Sequence, residues 1–223
     1  MSVSLPLHIG NIIRNAQVFD FKRHQNFMPE NESQQMDGLQ QTVAGLFTLL
    51  EARRIHYVLV GGVAILQYVE GRNTQVINLI LALEDLDSLP EIKIQSSDAD
   101  FARGDFQGLQ VDLLFSRNRL FQKVQRQFAT RRLFQEREIP CATVEGLLLL
   151  KLYALPALYR MGNFARVGLY ENDIAVLMHD YQTDLTPLWK ELACHLNQED
   201  LKATQEIVFE IQARIARFKK HNL

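Results

Sequence analysis

Cysteine is scarce in this 223-residue chain, and Cys141 and Cys194 form neither a CxxC pair nor a disulfide framework. This scarcity is typical of a reducing cytoplasm. An excess of one charge is also missing, because 24 basic residues face 26 acidic ones. No general attraction to nucleic acid or membranes follows. The longest apolar run, Leu147 to Leu155, is interrupted by Lys151 and is too short to span a bilayer. Met1 to Pro6 shows no basic segment before an apolar core, so we expect no signal peptide.

What the chain does have is the composition of a globular protein, with 47% hydrophobic and 22% charged residues. Apolar spacing predicts a helix over 36–54, a short helix over 63–69 and a helix over 118–128. Strands are predicted at 56–60, 76–82, 91–95 and 109–115, with an extended segment at 131–139. We predict loops at 26–35 and 96–108. This order indicates an α+β protein with a mixed sheet.

The last third of the chain is predicted to be helical, with helices over about 144–159, 172–181, 186–196 and from Asn197 onward. We therefore expect three parts: an N-terminal arm over 1–35, a sheet-bearing core over 36–140, and a helical C-terminal domain over 141–223.

A glycine pair, Gly61-Gly62, joins the first predicted strand to a short helix. Glycine lets the backbone approach a ligand closely, and a helix start offers free N–H groups to phosphate. The alternative is a tight turn that needs positive φ. In the next strand Val76 and Asn78 share one face, because side chains alternate along a strand. Asp112 interrupts the apolar run of a later strand.

This layout resembles the nucleotidyltransferase fold, and within it the AbiEii-like prokaryotic proteins of toxin–antitoxin systems. The resemblance covers about residues 40–185. It implies a nucleotidyltransferase-like mixed sheet with flanking helices, a nucleoside triphosphate held near the glycines, and acidic residues that bind magnesium. The family places an Asp-x-Asp pair where this chain has Val76 and Asn78, and a third Asp where it has Asp112.

The resemblance also implies substrate-binding roles for Gly61, Gly62, Arg72, Thr74, Lys151 and Asp173. Lys151 has another interpretation, as a lysine whose stem covers apolar surface while its charge reaches water. Asp173 can instead belong to a helix-start cluster.

Magnesium prefers carboxylate oxygens, and nucleotide transfer needs divalent ions to neutralise the triphosphate. Val76 cannot ligate, Asn78 offers a neutral oxygen, and Asp112 is the one strong candidate. The alternative role for Asp112 is a strand carboxylate that accepts hydrogen bonds from loop N–H groups. We therefore expect catalytic and metal roles, if retained, to fall on Asp112 and Asn78, and we expect catalysis to be impaired.

Three functions remain open. The first is an inactive nucleotidyltransferase-like protein that still binds a nucleotide, RNA or a partner. The second is a working transferase that uses Mg²⁺ and an RNA or protein acceptor. The third is a non-catalytic protein that binds a partner. Its candidate partners are an antitoxin and a second copy of the chain. A basic segment with interleaved phenylalanines favours RNA binding weakly, because Glu136 and Glu138 dilute its charge; its cations are Lys123, Arg126, Arg131, Arg132 and Arg137.

Overall fold

The computed structural model describes residues 30–69, 74, 76–134 and 137–221, with the backbone only at 30–40 and 219–221. Residues 1–29 of the predicted arm lie outside this range, and so does Arg72. The chain divides into two compact units, Met1–Thr143 and Val144–Leu223.

The first unit carries the sheet. Its elements are helix α1 (Glu30–Ala52), strand β1 (Val58–Val60), helix α2 (Gly61–Ile65), strand β2 (Val76–Leu81), a 3-10 helix (Leu83–Ser88), strands β3 (Lys93–Ser97), β4 (Phe101–Phe106) and β5 (Leu109–Phe115), helix α3 (Arg119–Gln127), and strands β6 (Ala129–Phe134) and β7 (Arg137–Ala142).

The described strands form one seven-stranded sheet in the order β3-β4-β5-β2-β1-β7-β6. Strand β2 runs parallel to β5, and β1 runs parallel to β7. The other four neighbouring pairs are antiparallel. The predicted α+β class with a mixed sheet is confirmed.

The two faces of β2 differ in burial. In β2, Ile77 and Leu79 are buried, whereas Val76 and Asn78 on the other face are half-buried. Asn78 therefore lies on the more accessible face of this strand.

Helix α3 begins after Asn118, whose Oδ1 accepts a hydrogen bond from the backbone N–H of Leu120 at 3.0 Å. This cap satisfies a donor that the first helical turn leaves unpaired.

The segment 96–108 was predicted to be irregular, and this prediction is wrong, because β4 lies within it. The buried positions of β4 include Ala102 and Gly104, which are too small to give a clear hydrophobic alternation. A Cβ on Gly104 would lie 2.7 Å from Ile92 Cγ2, so a small residue is required there. Because small residues occupy these buried positions, the sequence of β4 lacks the alternation of large apolar and polar residues that predicts a strand.

Three boundaries also differ from the predictions. The loop predicted over 26–35 is wrong for 30–35, which are helical in α1. The extended segment 131–139 belongs to two antiparallel strands, β6 and β7, rather than to one. The helix predicted to start at 172 begins at Phe164, where the Asn163 side chain accepts a hydrogen bond from the Arg166 N–H at 3.3 Å.

The second unit is helical, as predicted. It contains α4 (Val144–Arg160), α5 (Phe164–Tyr181), α6 (Thr186–Leu192) and α7 (Gln198–His221). Asn197 caps α7 as expected, because its Oδ1 accepts a hydrogen bond from the Asp200 N–H at 2.8 Å. Within the described part of the chain, no helix combines the length and the apolar character needed to cross a bilayer.

Candidate functional site

Gly61 turns the chain sharply at the end of β1. Its φ is +68°, a backbone conformation that residues with a Cβ rarely adopt. A Cβ on Gly61 would lie 2.1 Å from the Oδ1 atom of Asn78. Two separate requirements, backbone conformation and space, therefore demand glycine at this position. Gly62 follows as a buried residue of α2.

Four side chains form a row across the sheet. The strand registers place Arg103 opposite Asp112, Asp112 opposite Asn78, and Asn78 opposite Val60. Because residues in register share a face, this row brings together Asp112 and Asn78, the two predicted metal ligands. Gly61 follows Val60 directly and packs on Asn78.

A second row lies two residues away on the same face. There Val76 pairs with Gln110, which in turn pairs with Asp105. The side chain of Val76 is half-buried and carries no ligand atom. Asp105 Oδ1 accepts a hydrogen bond from the Gly108 N–H at 3.1 Å and so belongs to the β4–β5 turn.

Asp112 is 3% exposed, and both of its carboxylate oxygens accept hydrogen bonds within the sheet. Arg103 grips it with two hydrogen bonds, from Nε to Oδ1 at 2.8 Å and from an Nη to Oδ2 at 2.9 Å. Gln110 adds a third, from Nε2 to Oδ1 at 3.2 Å. The hydrogen bonds to Asp112 raise the pKa of the Arg103 guanidinium above its usual value. The donors to Asp112 are side chains on strands β4 and β5, whereas the predicted alternative placed loop N–H groups there.

These residues do not fit a divalent metal ion. Val76 has no ligand atom, Asn78 offers a neutral oxygen, and both oxygens of Asp112 already accept hydrogen bonds from a cation. Mg²⁺ in such sites normally needs carboxylates together with substrate phosphates. No group of three or more His, Cys, Asp or Glu residues within the described residues could hold a metal ion.

Lys151 and Asp173 meet in the helical unit. Lys151 Nζ lies 2.7 Å from Asp173 Oδ2, and their side chains are 6% and 2% exposed. The same Nζ lies 3.6 Å from the centre of the Tyr170 ring. The interpretation of Lys151 as a lysine that reaches water is wrong, because its charged end is buried. The helix-start interpretation of Asp173 is also wrong, since α5 begins nine residues earlier, at Phe164.

The remaining predicted site residues are less informative. Thr74 is half-buried and lies just before β2. Arg72 falls outside the described residues. The five cations of the basic segment are spread over α3, β6 and β7. Arg132 stacks over the Tyr68 ring at 4.6 Å, and Arg137 pairs with Glu51 at 3.2 Å. Two of the five cations therefore already contact other side chains of this chain.

Sequence reasoning missed Arg103 and Gln110. Both lie on the face that carries Asp112, and Gln110 could have been found from the two-residue spacing along β5. Arg103 lay in a segment without a strand signal, so its position opposite Asp112 follows from the β4–β5 pairing.

Comparison with known proteins gives a fold but no family. No family model matches the sequence, and no curated protein matches it significantly. The structure is similar to an antigenic nucleotidyltransferase-like protein from Paracoccidioides brasiliensis, with 15% identity and a TM-score of 0.52 over 81% of this chain and 91% of that one.

It is also similar to the antibiotic-resistance factor ANT(2'')-Ia. The solution structure of that protein matches with 11% identity and a TM-score of 0.50, covering 83% of this chain and 97% of that one. Its complex with adenylyl-2''-tobramycin matches with 9% identity and the same TM-score, covering 78% and 97%. The chain has a nucleotidyltransferase-like fold.

Proposed function

We propose that this chain is a nucleotidyltransferase-like protein whose catalytic activity is impaired or lost. The observation that carries the proposal is the row of side chains across the sheet. Asn78 stands beside Asp112 where a second carboxylate would be needed, and Asp112 is bound by Arg103. The Val76 side chain has no atom that can bind a metal ion, so position 76 provides no ligand.

The chemistry explains why these residues disfavour transfer. Moving a nucleotide from a triphosphate requires cations that offset the negative charge developing on the phosphates. Mg²⁺ dehydrates reluctantly and relies on carboxylates to anchor it. A site with an apolar side chain, an amide and one carboxylate engaged by arginine provides too little negative charge for this purpose.

The proposal retains ligand binding as the role of the fold. At the Gly61 turn the backbone lies close to Asn78. A nucleotide-binding site needs such a close approach, because backbone N–H groups can then reach the ligand. A neighbour of the same fold, ANT(2'')-Ia, has been solved with adenylyl-2''-tobramycin. We therefore propose a nucleoside triphosphate as the ligand, with RNA or a partner protein as the alternatives.

Transfer is tested by incubating the protein with labelled nucleoside triphosphates, total RNA and Mg²⁺. We expect the wild type to transfer no more label than the Asp112→Asn variant. Robust magnesium-dependent labelling by the wild type, abolished in Asp112→Asn, would establish the active alternative, with Asp112, Asn78 and bound water as the metal ligands.

Binding is tested separately by calorimetry with a nucleoside triphosphate without metal. Heat that saturates at one site per chain supports the nucleotide-binding role. Its absence favours the third function, a non-catalytic partner of another protein or of a second copy.

The AbiEii-like grouping and the toxin–antitoxin setting also belong to this proposal, and they rest on the sequence motifs. A small regulator encoded next to this chain, and binding of its product to the chain, would support them. Growth arrest on expression, relieved by that product, would assign the toxin role to this chain.

A further inference from the structure

Arg103 is the positively charged group that contacts the Asp112 carboxylate. The two residues lie directly opposite each other on antiparallel strands β4 and β5. The guanidinium reaches both carboxylate oxygens, and its side chain is 33% exposed against 4% for Asp112. Such bidentate pairing adds both energy and geometric specificity to the contact between arginine and a carboxylate.

The Arg103 guanidinium neutralises the buried charge of Asp112. A buried carboxylate without a counter-ion is strongly destabilising, so the loss of a metal ion would leave Asp112 in need of a positive partner. Arg103 supplies that charge from within the chain. Gln110 occupies a further lone pair of Oδ1, which leaves little acceptor capacity for an incoming metal ion.

We propose that Arg103 is a built-in cation that replaces the metal ion at Asp112 and blocks metal binding there. The inference rests on the proposed function, in which positions 76, 78 and 112 are the former ligands. It adds a specific consequence. Restoring aspartate at positions 76 and 78 does not restore the metal site while Arg103 holds Asp112.

The test is a titration with Mn²⁺ alone, in which the free ion is measured by electron paramagnetic resonance. Three proteins are compared: the double variant V76D/N78D, the same variant with Arg103→Gln, and the same variant with Arg131→Gln. Arg131 is a suitable control because it is an exposed arginine on β6 of the same sheet. Its replacement changes the net charge equally without touching Asp112.

We expect the Arg103→Gln triple variant to bind one Mn²⁺ at least tenfold more tightly than either the double variant or the Arg131→Gln control. Equal affinity in all three proteins overturns the proposal. Equal tightening in both triple variants also overturns it, because the effect would then come from net charge.

A second variant covers the case in which Arg103→Gln prevents folding, as judged by circular dichroism. Arg103→Met removes the charge and keeps an unbranched apolar side chain, so in the V76D/N78D background it should tighten Mn²⁺ binding by at least tenfold. Unchanged affinity in that variant overturns the proposal.

The single variant Arg103→Gln separates this inference from the proposed function. We expect it to bind Mn²⁺ no better than the wild type, since Val76 and Asn78 still lack charge. Tight Mn²⁺ binding with nucleotide transfer in this variant would refute the proposal that Val76 and Asn78 abolish activity, while supporting Arg103 as the block.

Discussion

Removing the positive charge of Lys151 should destabilise the helical unit strongly. Lys151 and Asp173 lie 2.7 Å apart and are almost fully buried. At that distance, an effective dielectric constant of about 20 gives an attraction of about 6 kcal/mol, which offsets the cost of taking both charges out of water. Lys151→Met leaves a buried carboxylate without this partner. The expected loss in free energy of unfolding is about 3–5 kcal/mol.

The chain offers a convenient probe and a matched control. Its single tryptophan, Trp189, lies in α6 of the same unit, so its fluorescence during urea denaturation reports on that unit. Lys202→Met removes an exposed ion pair to Glu206, 3.9 Å long, on α7. That change should cost about 0–1 kcal/mol.

A double variant completes the test. Lys151→Met combined with Asp173→Leu removes both charges and replaces them with apolar groups, so it should regain at least half of the stability lost in Lys151→Met. The reasoning is refuted if Lys151→Met costs no more than Lys202→Met. It is also refuted if the double variant is less stable than Lys151→Met.

Two further predictions concern the first unit and the thiols. Gly61→Ala should lower the free energy of unfolding by at least about 1–2 kcal/mol, because φ is +68° and the new Cβ would meet Asn78; Gly45→Ala, in an open helical position, should raise it by about 0.5–1 kcal/mol. Thermal denaturation followed by circular dichroism measures both, and equal effects would contradict the packing argument. Burial raises the pKa of the Cys141 thiol to about 12, whereas Cys194 is exposed. Ellman's reagent at pH 8 should therefore label one thiol in the native protein and the second after denaturation, and rapid labelling of two thiols would contradict this.

Local pattern carried much of the fold into the sequence prediction. The strand β5 was predicted with its observed bounds, because five of the seven residues of Leu109–Phe115 are apolar and only Gln110 and Asp112 are polar. The Asn197 cap was predicted from residue type and position. Both signals arise from neighbours within a few residues, where backbone geometry fixes which groups can meet.

Signals failed where tertiary packing replaced local preference. In strand β4 the buried positions include the small residues Ala102 and Gly104, and Gly104 has no room for a Cβ, so the hydrophobic alternation is weak. The start of α5 was misplaced because Asn163 and the acidic cluster near Asp173 are both plausible helix starts in sequence. The Asn163 side chain accepts a hydrogen bond from the Arg166 N–H, and the residues from Phe164 onward are helical, which places the start there.

The sequence by itself determined the chemical character of the candidate site. Period-two alternation placed Val76 and Asn78 on one face, and residue type made one apolar and the other neutral. The tertiary structure alone decided that Asn78 lies beside Asp112 and that Asp112 is held by Arg103. The physical reason is that side-chain direction along a strand is a local property. The identity of the residue across the next strand depends on strand order and register, which the whole sheet sets.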